Sequence, residues 1–150
     1  MNVLNDEFKL KGEWTLSRVN KETGEILDTE VIHNIIVNTG KERVAKLLNG
    51  VSSTYFRAIA VGTGATGALA GNTALETEVT RSAATLTYEA SYKAKFEYTF
   101  TFGSTYAITE AGLFDSATVS GSTMLNRTTF AAKNVSTVIQ LIATATITVA

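Results

Sequence analysis

The sequence contains no cysteine, no proline and a single histidine, His33. Without cysteine there is no disulfide scaffold, no thiolate zinc site, no iron–sulfur centre and no thiol nucleophile, although the redox compartment stays open. One histidine without cysteine does not build the usual zinc site. A dominant charge is missing too. Thirteen basic and 14 acidic residues leave a net charge of −1, with neither sign gathered in a block, so nucleic acid is not an expected partner. No apolar run approaches the roughly 18 residues of a membrane span. Asp6 and Glu7 stand where a secretory signal would carry its apolar region. The expectation is a chain made in the cytoplasm that uses no membrane.

What remains is strand chemistry. A length of 150 residues suits one domain with one core. Folding at this size buries roughly 68–70% of the surface exposed by the unfolded chain, enough to dispense with covalent or metal staples. Threonine makes up about one residue in six, and β-branched and aromatic types dominate the second half.

The pattern from Glu13 to Val37 predicts a hairpin: a strand Trp14–Val19, a turn Asn20–Glu25 in which Gly24 can take positive φ, and a returning strand from Ile26 through Val37. A helix over about residues 40–49 follows. Thr39 and Glu42 are spaced as a capping box, Val44, Leu47 and Leu48 share a face, and Asn49-Gly50 is a stop. Tyr55–Val61 reads as a buried strand running into a glycine-rich surface loop, residues 62–74.

From Tyr88 to Phe102 the chain alternates without interruption. Tyr88, Ala90, Tyr92, Ala94, Phe96, Tyr98, Phe100 and Phe102 oppose Glu89, Ser91, Lys93, Lys95, Glu97, Thr99 and Thr101. At roughly 3.3 Å per residue this is about 50 Å of strand, so a bulge, a bend or a protruding ribbon is expected. Strands over Tyr106–Phe114, Thr123–Phe130 and Ile139–Val149 complete a mostly-β chain. The fold expected is a single-domain antiparallel β-sandwich over residues 1–150 with one short α-helix, and residues 1–12 form an N-terminal arm.

Candidate sites weigh against simpler readings. Gly62-Thr-Gly-Ala-Thr-Gly67 matches a dinucleotide fingerprint and Glu89 lies 22 residues beyond Gly67, yet Gly71-Asn72-Thr73 breaks the required helix and no βαβ units follow. No cofactor is expected. His33 lies inside an apolar strand and no serine sits in a nucleophile elbow, so hydrolysis would need carboxylates such as Glu110 and Asp115. The simpler role for Glu110 is to accept backbone donors near a turn. Lys93, Lys95 and Glu97 read as the wet face of a strand. Trp14 or Tyr106 could stack on sugars, but packing is the first expectation for an aromatic. The sequons at Asn126 and Asn134 carry no weight without secretion.

Four segments occur in order: Asn38-Thr-Gly40, Ala60-Val-Gly-Thr-Gly64, Thr73-Ala-Leu-Glu-Thr-Glu-Val-Thr-Arg81 and Ile108-Thr-Glu-Ala-Gly-Leu-Phe-Asp115. This succession resembles small virion structural proteins of tailed bacteriophages, of the capsid decoration (cement) or tail-fibre and collar type, over roughly Val37 to Phe130. The resemblance implies a non-enzymatic particle component in the virion, with no catalytic residue or metal. A capsid decoration protein is the leading expectation, with a tail, collar, baseplate or fibre-attachment role as the alternative and a glycan-binding module behind both. Its partners would be copies of itself, as a symmetric oligomer such as a trimer, and the major capsid protein or tail and baseplate proteins. The candidate interface comprises Tyr92, Phe96, Tyr98, Phe100 and Phe102 of the aromatic ribbon, with Gly62, Gly64 and Gly67 of the loop as adaptable contacts.

Overall fold

A computed structural model describes residues 7–150. In chain order the elements are β1 (Leu10–Asn20), β2 (Ile26–His33), β3 (Ile35–Ile36), α1 (Asn38–Leu48), β4 (Ala58–Gly62), β5 (Glu78–Ala83), β6 (Thr85–Glu89), β7 (Lys93–Phe100), β8 (Tyr106–Phe114), β9 (Met124–Val135) and β10 (Ile139–Val149). Two antiparallel five-stranded sheets result, in the orders β2-β1-β10-β7-β6 and β3-β9-β8-β4-β5. They face each other as a β-sandwich with one short helix, the expected fold.

Period-two patterning decides which residues meet between the sheets. Trp14 and Leu16 of β1, Leu141, Ala143, Ala145 and Ile147 of β10, and Phe96 and Phe100 of β7 point inward from the first sheet. Ile59, Val61, Ile108, Leu113 and Leu125 answer from the second, and Phe102 closes the same core. Each large side chain so buried contributes about 1.5–3 kcal/mol. A second, smaller cluster of Val37, Ala58, Ala60, Leu75, Phe114 and Met124 lies apart from it. Its Ala58 and Ala60 alternate with the inward Ile59 and Val61 along β4, which places the cluster on the sheet's outer side. Gly40 of α1 packs directly on the Leu125 backbone, an approach that any Cβ would block.

Several boundaries differ from the sequence expectations. Residues 1–6 of the expected arm lie outside the described residues, and the arm is already strand by Leu10. Leu10 pairs with Val149, and Lys9 and Ala150 exchange backbone hydrogen bonds of 2.6 and 2.8 Å. The strand expected from Ile26 to Val37 breaks at Asn34, after which Ile35 and Ile36 join the opposite sheet against Arg127 and Asn126. The Asn34 side chain occupies the space a Cβ at Gly12 would need, and the Asn34 backbone N–H donates to the Gly12 carbonyl at 3.2 Å. The hairpin turn itself is as expected, with Gly24 at φ +74°.

The helix begins two residues early, so Thr39 lies inside it rather than capping it. Its hydroxyl donates to the Met124 carbonyl at 3.2 Å, tying α1 to β9 in place of a capping box. Of the expected apolar face only Val44 reaches the core, while Leu48 stays exposed. The Tyr55–Val61 strand begins only at Ala58, and β9 extends five residues past Phe130.

The largest correction concerns the ribbon from Tyr88 to Phe102. It is a hairpin, in which β6 turns through Ala90, Ser91 and Tyr92 into β7 and pairs Leu86 with Phe96 and Tyr88 with Ala94. Tyr92 takes φ 65° to close the turn.

Candidate interaction surface

The glycine-rich segment is held by a buried carboxylate. Glu110 of β8 is fully buried, and its side chain faces the loop that connects β4 to β5. Its Oε1 accepts the backbone N–H of Gly64 at 3.0 Å and of Thr77 at 2.8 Å. Its Oε2 accepts the N–H of Glu76 at 3.0 Å and Arg127 Nε at 3.0 Å, while Arg127 Nη2 lies 2.9 Å from the same oxygen as a charge contact. Arg127 Nη1 reaches on to Asn72 Oδ1 at 3.1 Å, and the Thr109 hydroxyl donates to the Gly64 carbonyl at 2.8 Å.

Glycine makes this approach possible. A Cβ at Gly64 would stand 2.6 Å from Glu110 Oε1, and one at Gly62 would collide with the Thr77 carbonyl. Burial alone would push the Glu110 carboxyl up. The donors from Thr77, Glu76, Arg127 and Gly64 together outweigh it and hold the group below the ordinary glutamate value.

Asp115 is equally committed. Its Oδ2 meets Arg43 Nη1 at 2.6 Å and its Oδ1 accepts the Thr123 N–H at 2.8 Å. Arg43 also donates to the Thr54 carbonyl and the Thr123 hydroxyl, so the pair fastens α1 to the end of β8. Five residues of extended strand put Glu110 and Asp115 about 16 Å apart along the backbone. Glycosidase carboxylates stand only about 5–9.5 Å apart. Each is paired with its own arginine, Glu110 with Arg127 and Asp115 with Arg43.

The four segments behind the resemblance to phage proteins converge here. Asn38 N–H bonds the Ala70 carbonyl beside the loop, and Gly62, Gly64, Glu76 and Thr77 surround Glu110. Arg81 lies 3.9 Å over the Phe114 ring and donates to the Ser116 carbonyl at 3.0 Å. The segments are therefore one packed unit on the second sheet. The simpler reading of Glu110, as an acceptor of backbone donors, agrees with this geometry. The sequence signal for its partner Arg127 is weak: an arginine amid Met124-Leu125-Asn126 and Thr128 is a strand charge that needs a counter-ion.

The proposed interface residues divide sharply. Phe96, Phe100 and Phe102 are buried within the chain, and Gly62 and Gly64 are packed under the loop, so these five present little or nothing to a neighbour. Tyr98 lies edge-on to Phe100 at 4.7 Å with its other side open, Tyr92 is 68% exposed at the hairpin tip, and Gly67 has open space around it. Trp14 is wholly buried and offers no face to a sugar, and Tyr106 packs beside Phe102. Lys95 pairs with Glu89 at 3.3 Å and Glu97 accepts the Thr144 hydroxyl, as expected of a solvated strand face.

Among the described residues, one uncovered apolar surface lies around a groove of about 480 Å³ lined by Phe8, Leu10, Val44 and Leu48, and another lies on the hairpin. Leu86 and Tyr88 of β6 lie on the inward-facing side of the hairpin but remain 43% and 72% exposed. With Leu47, Tyr55, Phe56 and Ala94 they line an open groove of about 410 Å³. Leu86 extends the even-numbered alternation of Tyr88 to Phe102 by one step toward the N-terminus. A separate cleft of about 630 Å³ has Lys11, Lys41 and Lys93 on its rim with Glu13 and His33 among them. No protein family, curated protein or solved structure matches the chain.

Proposed function

We propose that this chain is a structural protein of a bacteriophage particle that acts by adhesion, packing against copies of itself and against neighbouring particle proteins. The observation that carries the reading is the β6–β7 hairpin, where Leu86, Tyr88 and Tyr92 stand exposed beside an apolar groove. Exposed apolar surface gathered in one place marks an interaction site. Burying it yields roughly 25 cal/mol per Å² before association costs are subtracted. The reading needs no bond-making centre, and the two carboxylates best placed to supply one are occupied by structural partners.

Within that class a capsid decoration protein is the leading assignment, supported by the order of the four motifs and by a single small sandwich. A tail, collar or baseplate protein is the alternative. Copy number per purified particle separates them. Hundreds of copies are expected of a decoration protein, whereas a few to a few tens would assign the chain to the tail. Absence from particles would overturn the reading altogether.

A further inference from the structure

We propose that two copies of this chain pair β6 against β6 about a two-fold axis, joining their five-stranded sheets into one continuous sheet. The proposal deepens the assembly reading by naming the contact.

The two sheets end on four edges: β2, β6, β3 and β5. Three are guarded. On β2, Asp28 and Glu30 share the inward face with Ile32 and are tied to Arg18 at 2.6 Å and to Lys133. Charges placed there resist the addition of another strand. β3 is two residues long. On β5 the residues Glu78–Ser82 are all half-buried, and Arg81 and Glu78 are ion-paired along the strand at 2.6 Å. By contrast all five residues of β6 are exposed, and the side it turns inward carries only Leu86 and Tyr88.

The sequence of β6 is complementary to itself. A two-fold axis through Thr87 sets Thr87 opposite the partner's Thr87, Leu86 opposite the partner's Tyr88, and Thr85 opposite the partner's Glu89. Aromatic–aliphatic and Thr–Thr pairs of this kind are favourable across antiparallel strands, and no like charges meet. Glu89 is already neutralised by Lys95 of its own hairpin. This register pairs all five residues. Centring the axis on Leu86 or Tyr88 instead would draw Ala84 or the Ala90 turn into the contact.

Area sets the strength. An aromatic side chain buries about 150–250 Å². The exposed parts of Leu86, Tyr88 and Tyr92 therefore supply a few hundred Å² per copy, against about 800 Å² per partner in a standard interface. The pair is weak alone and suits an assembly in which each copy has other contacts.

The absence of native cysteine makes the register directly readable. Opposed residues in an antiparallel pair have Cα atoms about 4.5–5.5 Å apart, within the roughly 4.4–6.8 Å span of a disulfide. Thr87→Cys is expected to form a covalent dimer under mild oxidation at least about tenfold faster than Thr29→Cys on the guarded β2 edge, because pairing raises the local thiol concentration. Thr85→Cys, which faces the partner's Glu89, is expected to behave like Thr29→Cys. Adding Leu86→Lys to Thr87→Cys is expected to remove the advantage without moving the thermal midpoint of the monomer. Equal rates at positions 87 and 29, or a Thr87→Cys rate indifferent to Leu86→Lys, would overturn the pairing. Fast linkage at Leu86→Cys or Tyr88→Cys in place of Thr87→Cys would overturn this register. Either result, beside a particle copy number in the hundreds, would leave the assembly reading standing.

Discussion

The loop from Thr63 to Thr77 and the hairpin of β6 and β7 invite opposite expectations and receive opposite treatment. The loop is rich in glycine and small polar residues, the composition of a mobile surface segment, yet its backbone donors converge on a buried carboxylate. The hairpin is rich in aromatics, the composition of a core, yet Leu86, Tyr88, Tyr92 and Tyr98 are exposed and only Phe96 and Phe100 are buried. The difference lies in where complementary groups are found. Glu110 and Arg127 supply charge to a loop that has only polar backbone to offer, whereas no part of the chain among the described residues covers Leu86 and Tyr88. Composition reports what a segment can bury, and the partner decides whether it does.

The comparison breaks hardest at Glu110. Replacing it with alanine leaves buried Arg127 only the more distant, partly exposed Glu76 carboxylate at 3.9 Å and strips the acceptor from three backbone N–H groups. Removing one partner of a buried ion pair costs about 3–5 kcal/mol. Urea unfolding of Glu110→Ala is expected to show a loss of that size, with hydrogen exchange of Gly64, Glu76 and Thr77 accelerated first. A loss under about 1 kcal/mol, the scale of an exposed ion pair, would mean that the loop is held by something else.

The glycines sharpen the contrast within one segment. Gly62→Ala and Gly64→Ala force a Cβ onto the Thr77 carbonyl or the Glu76 and Glu110 side chains. Overpacking of this kind costs about 1–3 kcal/mol. Gly67→Ala meets nothing within 4 Å. It is expected to stay within about 0.5 kcal/mol of the parent, the range of an ordinary surface change. Thermal unfolding of the three variants in parallel checks the order, and a costly Gly67→Ala would contradict it.

These two regions also mark the limits of sequence reading. The strand Ile139–Val149 is legible because it is a single run with a single phase, whereas Tyr106–Phe114 is legible only in its bounds, since a bulge between Ile108 and Glu110 shifts its phase and turns Ala111 and Leu113 inward. The hairpin is not legible, for a reason of parity. In β6 and β7 Leu86 faces Phe96 and Tyr88 faces Ala94, so even-numbered residues meet even-numbered ones. A turn of three residues preserves that phase, and Ala90-Ser91-Tyr92 contains no glycine, asparagine or aspartate to betray it. The alternation therefore runs through the turn as if the strand continued. Glu110 was legible as an acceptor of backbone donors, but the donors lie 33 to 46 residues earlier in the chain and Arg127 lies 17 later. No local pattern encodes such a meeting. Gly62 and Gly64 suggest adaptability in sequence, and in the structure they bring backbone within reach of a carboxylate.

Acid offers a reversible version of the Glu110 experiment. The folded-state carboxyl titrates below the ordinary value, so the native state binds its proton less readily than the unfolded chain. The resulting stabilisation is fully present above the unfolded glutamate value of about 4.3. It is lost as pH falls through the lower folded value. Asp28, held low by its hydrogen bonds to Arg18, acts in the same direction from a more exposed site. The urea midpoint of the parent is expected to fall below about pH 4. That of Glu110→Gln is expected to start lower and fall less steeply. Parallel acid limbs would show that Glu110 does not govern the loss.

The smallest effect is the most informative about the hairpin. Tyr88 is 72% exposed and accepts only one long hydrogen bond, from the Tyr92 N–H at 3.4 Å. Threonine is as good a strand former. Tyr88→Thr is therefore expected to leave the unfolding free energy of the isolated chain within about 0.5 kcal/mol of the parent. The same substitution removes the side chain that would face the partner's Leu86, so equilibrium sedimentation is expected to show weakened self-association at unchanged stability. Should stability fall with association intact, Tyr88 belongs to the fold of the single chain, and the hairpin is core after all.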